Sequence, residues 1–188
     1  MKFLIAAAAA ATLLPAVALA QTAPPTGLYG TLGYANAHAG DFNLGAVQGR
    51  LGWRFNDWLG VEGELGFGVN DDKGSQTVGG VNVNTSVKLK DQEAIYAVGF
   101  LPLSNQFDLL ARIGYGHQSV KASATATGTG GPITVSDRAD GDSWNFGVGA
   151  QYHFDGANGV RADYTREEFR GSGSDHADIW AIAFSHRF

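Results

Sequence analysis

The residues best suited to chemistry in this 188-residue chain are charged ones that recur at even spacings. Arg50 and Arg54 share one parity, Glu62 and Glu64 follow a short break later, and Arg161 and Asp163 repeat the two-residue step. Arg112 stands two residues before Gly114 and four before Gly116. A two-residue step puts side chains on one face of a β-strand. Arginines and carboxylates gathered on such a face form bidentate ion pairs in a crowded interior, or line a path for protons and small ions. Glu167 and Arg187 extend the set. Opposite charges on strands joined by a tight turn also favour cross-strand pairing of Arg50 and Arg54 with Glu62 and Glu64.

Other chemistries find less support. Ser185 and His186 are adjacent, so in one strand they point to opposite faces and cannot act as nucleophile and base. Ser143 and His153 fall near opposite ends of one run, and no spacing requires His117, Ser119 and Asp91 to meet. Asp71-Asp72 and the group Asp137, Asp140 and Asp142 offer the oxygen ligands that hard cations take. Their spacing fits no calcium loop, and solvated acidic loops explain them. The chain has no cysteine, which excludes disulfides and thiolate metal sites. No catalytic residue, metal ligand or cofactor is assigned. The formal charge is -5, and it falls further without the first twenty residues, which hold one lysine and no acid. With no basic patch to displace counterions, nucleic acid is excluded as a partner.

These charges need elements to hold them. Residues 1–20 read as a secretory signal peptide: Lys2, an apolar run from Phe3 to Leu14, Pro15, and Ala18-Leu19-Ala20 as the cleavage signature. Residues 21–188 read as one domain. No helical period survives there. Eight alternating, aromatic-rich and glycine-rich runs lie near 27–36, 43–55, 57–69, 83–100, 106–119, 142–154, 159–169 and 177–188. Tight turns such as Phe55-Asn56-Asp57 alternate with longer polar connections. The longest, about 120–141, contains A-T-A-T-G-T-G-G-P and reads as a near-low-complexity loop. Short turns at one end and long connections at the other predict an all-β, eight-stranded antiparallel up-and-down transmembrane β-barrel.

The faces decide which way it is turned. Trp144, Phe146, Val148 and Tyr152 oppose Asn145, Gly147, Gly149 and Gln151. Trp53, Phe67, Tyr115, Tyr164, Trp180 and Phe184 sit on matching apolar faces of their own runs. An eight-stranded interior is just wide enough for ordinary side chains to fill it, and a full set of aromatics would overfill it. Arginine facing lipid near the midplane costs about 2–4 kcal/mol. The aromatics therefore face lipid and the charges form a network in the lumen. Two runs stay open. L-Y-G-T-L-G-Y-A is apolar on both faces. The fourth run changes parity between Leu89 and Tyr96, through a β-bulge near Asp91 or through an upper half clear of the membrane.

The signal, the eight amphipathic runs and the closing W-A-I-A-F-S-H-R-F, which puts Trp180, Ile182, Phe184, His186 and Phe188 on one face, together resemble a known family. It is that of the small outer-membrane β-barrels of Gram-negative bacteria, of the OmpA transmembrane-domain and OmpX type. The resemblance covers the whole mature chain and implies several things. The protein sits in the bacterial outer membrane among outer-membrane lipid and lipopolysaccharide. Phe184 and Phe188 form the C-terminal signal for the barrel-assembly machinery. The role is non-enzymatic, structural or of surface interaction, with a ligand at the long loops and a lumen plugged by charge. OmpA-type chains often continue into a peptidoglycan-binding domain; this sequence ends at its last strand, so no cell-wall tether is expected. The rival readings are a small channel, an outer-membrane lipid hydrolase and a soluble carrier.

Overall fold

The computed structural model describes residues 26–40, 42–78, 81–128, 131–170 and 176–188. The signal segment lies outside them. Nine strands follow in order: β1 (Gly27–Ala39), β2 (Phe42–Arg54), β3 (Leu59–Asn70), β4 (Asp72–Val78), β5 (Val81–Pro102), β6 (Phe107–Gly128), β7 (Gly131–His153), β8 (Asn158–Phe169) and β9 (His176–Arg187). All pairings are antiparallel. Eight of the strands close a ring, β3-β2-β1-β9-β8-β7-β6-β5, through the β3–β5 pairing. The eight-stranded barrel expected from the alternation is thus the fold. Closure leaves no row of unpaired amides around the ring, which a sheet in lipid requires.

Side-chain chemistry makes the tight turns. Asn56 Oδ1 accepts the backbone N–H groups of Trp58 and Leu59 at 2.8 and 2.9 Å. Asp155 Oδ1 accepts those of Ala157 and Asn158 at 2.8 and 2.6 Å. Both are Asx turns. The backbone bond from Asn158, with its side-chain amide and the Ala157 N–H, holds the Asp155 carboxyl below its usual range. Both ends of the barrel sequence meet at this short-turn side, where Phe188 N donates to Leu28 O at 3.0 Å.

The other end departs from the expected loops. The ladder from β3 to β5 stops at Gly66↔Gln92, and that from β7 to β8 at Ser143↔Phe169. Strands β5, β6 and β7 continue beyond, paired to each other as far as Thr127 and Gly128. The stretch read as a loop over 120–141 is therefore a tall hairpin. Its alternating Ala and Thr are small and β-branched residues in register, and the Thr125 and Thr134 hydroxyls meet at 2.9 Å. The connection after Asn70 holds β4, which pairs with the outer half of β5 and lies outside the ring.

Both open runs now resolve. A bulge falls between Leu89 and Asp91. Leu89 above it and Tyr96, Val98 and Phe100 below it all face inward and are buried. The parity change swaps faces so that both sets stay inside. On β1, Tyr29, Thr31 and Ala35 point in while Leu32 and Tyr34 point out.

The β1–β9 seam has one tight point. Gly33 lies opposite Ala183, and a β-carbon there would collide with the Ile182 carbonyl oxygen and the Ala183 backbone. On the outer wall, a β-carbon at Gly49 would meet nothing closer than 3.9 Å. Gly33→Ala is expected to lower the urea midpoint, at an overpacking cost of about 1–3 kcal/mol, while Gly49→Ala stays within about 0.5 kcal/mol. Tryptophan fluorescence through urea unfolding in detergent measures both. Equal midpoints would show that the close approach is unimportant.

Candidate functional site

Strand parity builds the interior. Inward positions on β2 include Gln48, Arg50 and Arg54; on β3, Glu62 and Glu64; on β6, Asp108 and Arg112; on β8, Arg161, Asp163, Thr165 and Glu167. All of these are buried. The seven charges singled out in the sequence do not form one cluster.

Six of them close a cycle of alternating sign. Arg50 Nε donates to Glu64 Oε2 at 2.7 Å, and Arg112 Nη1 donates to the same oxygen at 2.7 Å. Arg112 Nη1 lies 3.8 Å from Glu62 Oε2. Arg161 donates to both Glu62 oxygens and, through Nε, to Asp163 Oδ1 at 2.9 Å. Arg50 Nη1 returns to Asp163 Oδ2 at 2.7 Å. Three guanidinium groups and three carboxylates thus balance across β2, β3, β6 and β8. Each ion has two partners of opposite sign. Charge-assisted bonds of this kind are the strong ones, and pairing offsets the cost of taking ions out of water.

Two tyrosines complete the cycle, and sequence parity had left them aside. Tyr29 Oη donates to Glu62 Oε1 at 2.8 Å and Tyr96 Oη to Glu64 Oε1 at 3.3 Å. The Arg112 guanidinium also lies over the Tyr96 ring, 4.3 Å from its centre. Each tyrosine lies across its strand pair from a glycine, Gly52 for Tyr29 and Gly114 for Tyr96. Those glycines leave room for the ring, a signal that was visible in the sequence.

Arg54 was expected to pair across the tight turn with Glu62 or Glu64. The register puts Gly60 opposite it and Gly52 opposite Glu62. Arg54 instead reaches across the barrel to Asp108 at 3.0 Å. Asp108 also takes Arg187 at 3.1 Å and lies 3.5 Å from His153 Nε2. This second cluster caps the short-turn mouth. Asp108 shares the parity of Arg112, so the two-residue step could have found it. At the opposite mouth the Glu167 carboxylate accepts from the Gln92 and Asn145 side-chain amides.

On the outer wall, Trp53, Phe67, Trp144, Phe146, Tyr152, Trp180, Phe184 and Phe188 are exposed. Tyr115 and Tyr164 also point out but are partly covered, because each packs against a tryptophan, Trp144 and Trp180, at 5.5 and 4.9 Å. A hollow of about 800 Å³ lies on this wall, over Gly49 and Gly63. The hollow at the short-turn mouth holds only about 10 Å³. The Ser185 hydroxyl accepts from Gln151, Ser143 donates to Asn145, and His117 meets Asp142. Among the described residues, no serine hydroxyl is hydrogen-bonded to a histidine.

Residues 6–188 match the family model described as the outer membrane protein beta-barrel domain. No curated protein matches the sequence. Among solved structures, the chain is similar to Ail, the attachment invasion locus protein of Yersinia pestis, in complex with the heparin analogue sucrose octasulfate. The two share 17% identity over 86% of this chain and 97% of Ail, with a TM-score of 0.57. A major outer membrane protein of Thermus thermophilus matches at 12% identity and TM-score 0.55, over 86% of this chain and 99% of that one. The N-terminal β-barrel domain of Pseudomonas aeruginosa OprF matches at 12% identity and TM-score 0.51, over 85% and 98%.

Glu64 is shared by two arginines, so its loss opens the cycle and leaves Arg50 with Asp163 and Arg112 with Glu62 as the single remaining acid of each. Glu64→Ala is expected to destabilise the barrel by about 3–5 kcal/mol. Asp71→Ala removes only the partner of Lys88, whose side chain is 42% exposed, and should cost less than about 1 kcal/mol. Urea and heat resistance in detergent read both. Equal resistance would remove the argument that the cycle holds the interior together.

Proposed function

The chain belongs to the outer-membrane β-barrel family and resides in the bacterial outer membrane, and we propose that it works there as a non-enzymatic, non-conducting barrel. It acts through the tall hairpins of β4 to β7, held outside the cell. The observation that carries this reading is the closed six-ion cycle across the lumen. A passing ion would have to displace groups that already have two partners each. The hollow of about 10 Å³ at the short-turn mouth supports it, since that is at most room for a single water. The hairpins support the second half. Surface segments on a rigid scaffold are where recognition is carried, and the similar barrel Ail holds a heparin analogue.

The rest of the surface serves the membrane. The outer wall contacts outer-membrane lipid, with lipopolysaccharide in the outer leaflet. Strand β9 with Phe184 outward, and the exposed Phe188 that follows it, present the signal for the assembly machinery.

Purified barrel in a planar bilayer is expected to pass no stepwise current and to release no fatty acid from lipid A or phospholipid. Unitary steps would establish the channel reading in its place, and released fatty acid the hydrolase reading. Phe188→Ala is expected to lower the amount of folded barrel in cells while leaving unassisted refolding into detergent unchanged. Equal yields in cells would discard the assembly role of the terminal ring.

A further inference from the structure

Above the Tyr115–Trp144 contact, the outward face of the sheet climbs through paired rungs. The first holds Glu93, His117 and Asp142, and the next Asp91, Ser119 and Asp140. The third holds three cations in register: Lys88 on β5, Lys121 on β6 and Arg138 on β7. Residues directly opposite on neighbouring strands have β-carbons about 5 Å apart, and like charges so placed are destabilising.

The bulge creates this rung. Without it Leu89 would lie opposite Lys121. With it Leu89 turns inward against Val120, and Lys88 turns out. Neighbouring acids offset the row only in part. Asp71 lies 3.5 Å from Lys88, and that is the one ion pair the three make among the described residues. Asp140 accepts from the Ser119 hydroxyl and Asp142 meets His117, so that the acids below the row, Asp91 among them, make no ion pair with Lys121 or Arg138 among the described residues. Asp137 shares the opposite face with Ala122. Directly above lies a rung of hydroxyls, Ser86, Ser123 and Ser136, with Lys73 of β4 beside Ser86. Cations backed by hydroxyl donors, facing away from the barrel, are a surface for phosphate oxygens.

Height identifies the source of those phosphates. Lys121 is six residues beyond Tyr115, about 20 Å along the strand and about 15 Å higher at the usual tilt of barrel strands. That is above the acyl layer and within the sugars of the outer leaflet. The row faces outward over the surrounding lipid. We infer that Lys88, Lys121 and Arg138 bind phosphate groups on the sugar core of neighbouring lipopolysaccharide. The inference rests on the reading that the tall hairpins stand outside the cell, and it names the partner of that surface.

The test uses the full mature barrel in detergent and surface plasmon resonance. The probes are lipopolysaccharide with a phosphorylated core, the same material after enzymatic dephosphorylation, lipid A without core sugars, and sucrose octasulfate. Wild type should bind the phosphorylated core best, and less tightly as salt rises from about 50 to 300 mM. The variant carrying Lys121→Ser and Arg138→Ser should lose about tenfold or more in affinity for it. The variant and wild type should bind dephosphorylated material alike. The serine variant should migrate as a folded, heat-modifiable band and resist urea at least as well as wild type, since repulsion is relieved. Lys121→Gln serves as a second variant should that one fold poorly. Equal binding by wild type and variant overturns the inference, as does equal binding of lipid A and the phosphorylated core. So does tight binding confined to sucrose octasulfate, which would assign the row to soluble sulfated glycans. A conducting barrel that prefers the phosphorylated core would sink the earlier reading and keep this one; a silent barrel indifferent to it would do the reverse.

Discussion

Three guanidinium groups share three carboxylates inside a cylinder only eight strands around, and the rest of the wall is arranged so that they can reach one another. An arginine left alone in that space would carry an uncompensated charge out of water. The pairing is also specific to one register. Arg50 faces Glu64 directly across the β2–β3 ladder, and a one-residue slip of either strand would turn that strand's charges toward lipid. The cycle therefore acts on geometry as much as on energy: it disfavours the one-residue shifts of these strands.

The glycines and tyrosines follow from the same crowding. Long side chains that meet at the centre need neighbours that take no room, so Gly52 and Gly114 stand beside the Tyr29 and Tyr96 rings. At Gly33 the β1 and β9 backbones approach too closely for any side chain. The outer wall has no such constraint. Aromatic and branched residues spread there freely, and tyrosines and tryptophans pair near one rim.

Much of this was legible in the sequence, because a two-residue period is a strong signal when one face is charged and the other aromatic. The ring of eight, the tight turns and the inward parity of Arg50, Glu64, Arg112 and Arg161 all follow from it, while the parity change near Asp91 showed in the sequence with its cause left open between a bulge and an upper half clear of the membrane. What escaped had physical reasons. The A-T-A-T stretch alternates between two small residues, so its faces differ too little to announce a strand, and its order comes from register with β5 and β7. Strand β4 has no apolar face and is fixed by pairing alone. Tyr96 and Phe100 belong to the run whose parity the sequence left open, and each packs under a guanidinium, Arg112 and Arg54 respectively. Arg54 was matched to the nearest acids in the chain, while its partner Asp108 comes from across the lumen. Distance through the barrel is not readable from spacing along the chain.

Strand β6 runs without a break from Phe107 at the short-turn mouth to Gly128 at the tip of the tall hairpin. Arg112 and Lys121 belong to one hydrogen-bonded rod. The ladder it shares with β7 has no irregularity along its length, while the one it shares with β5 has a single bulge. A pull at the tip has no hinge on the β7 side at which to dissipate. It arrives at the ring as tension along three adjoining strands, so the hairpin serves the cylinder as a mast stepped into its keel.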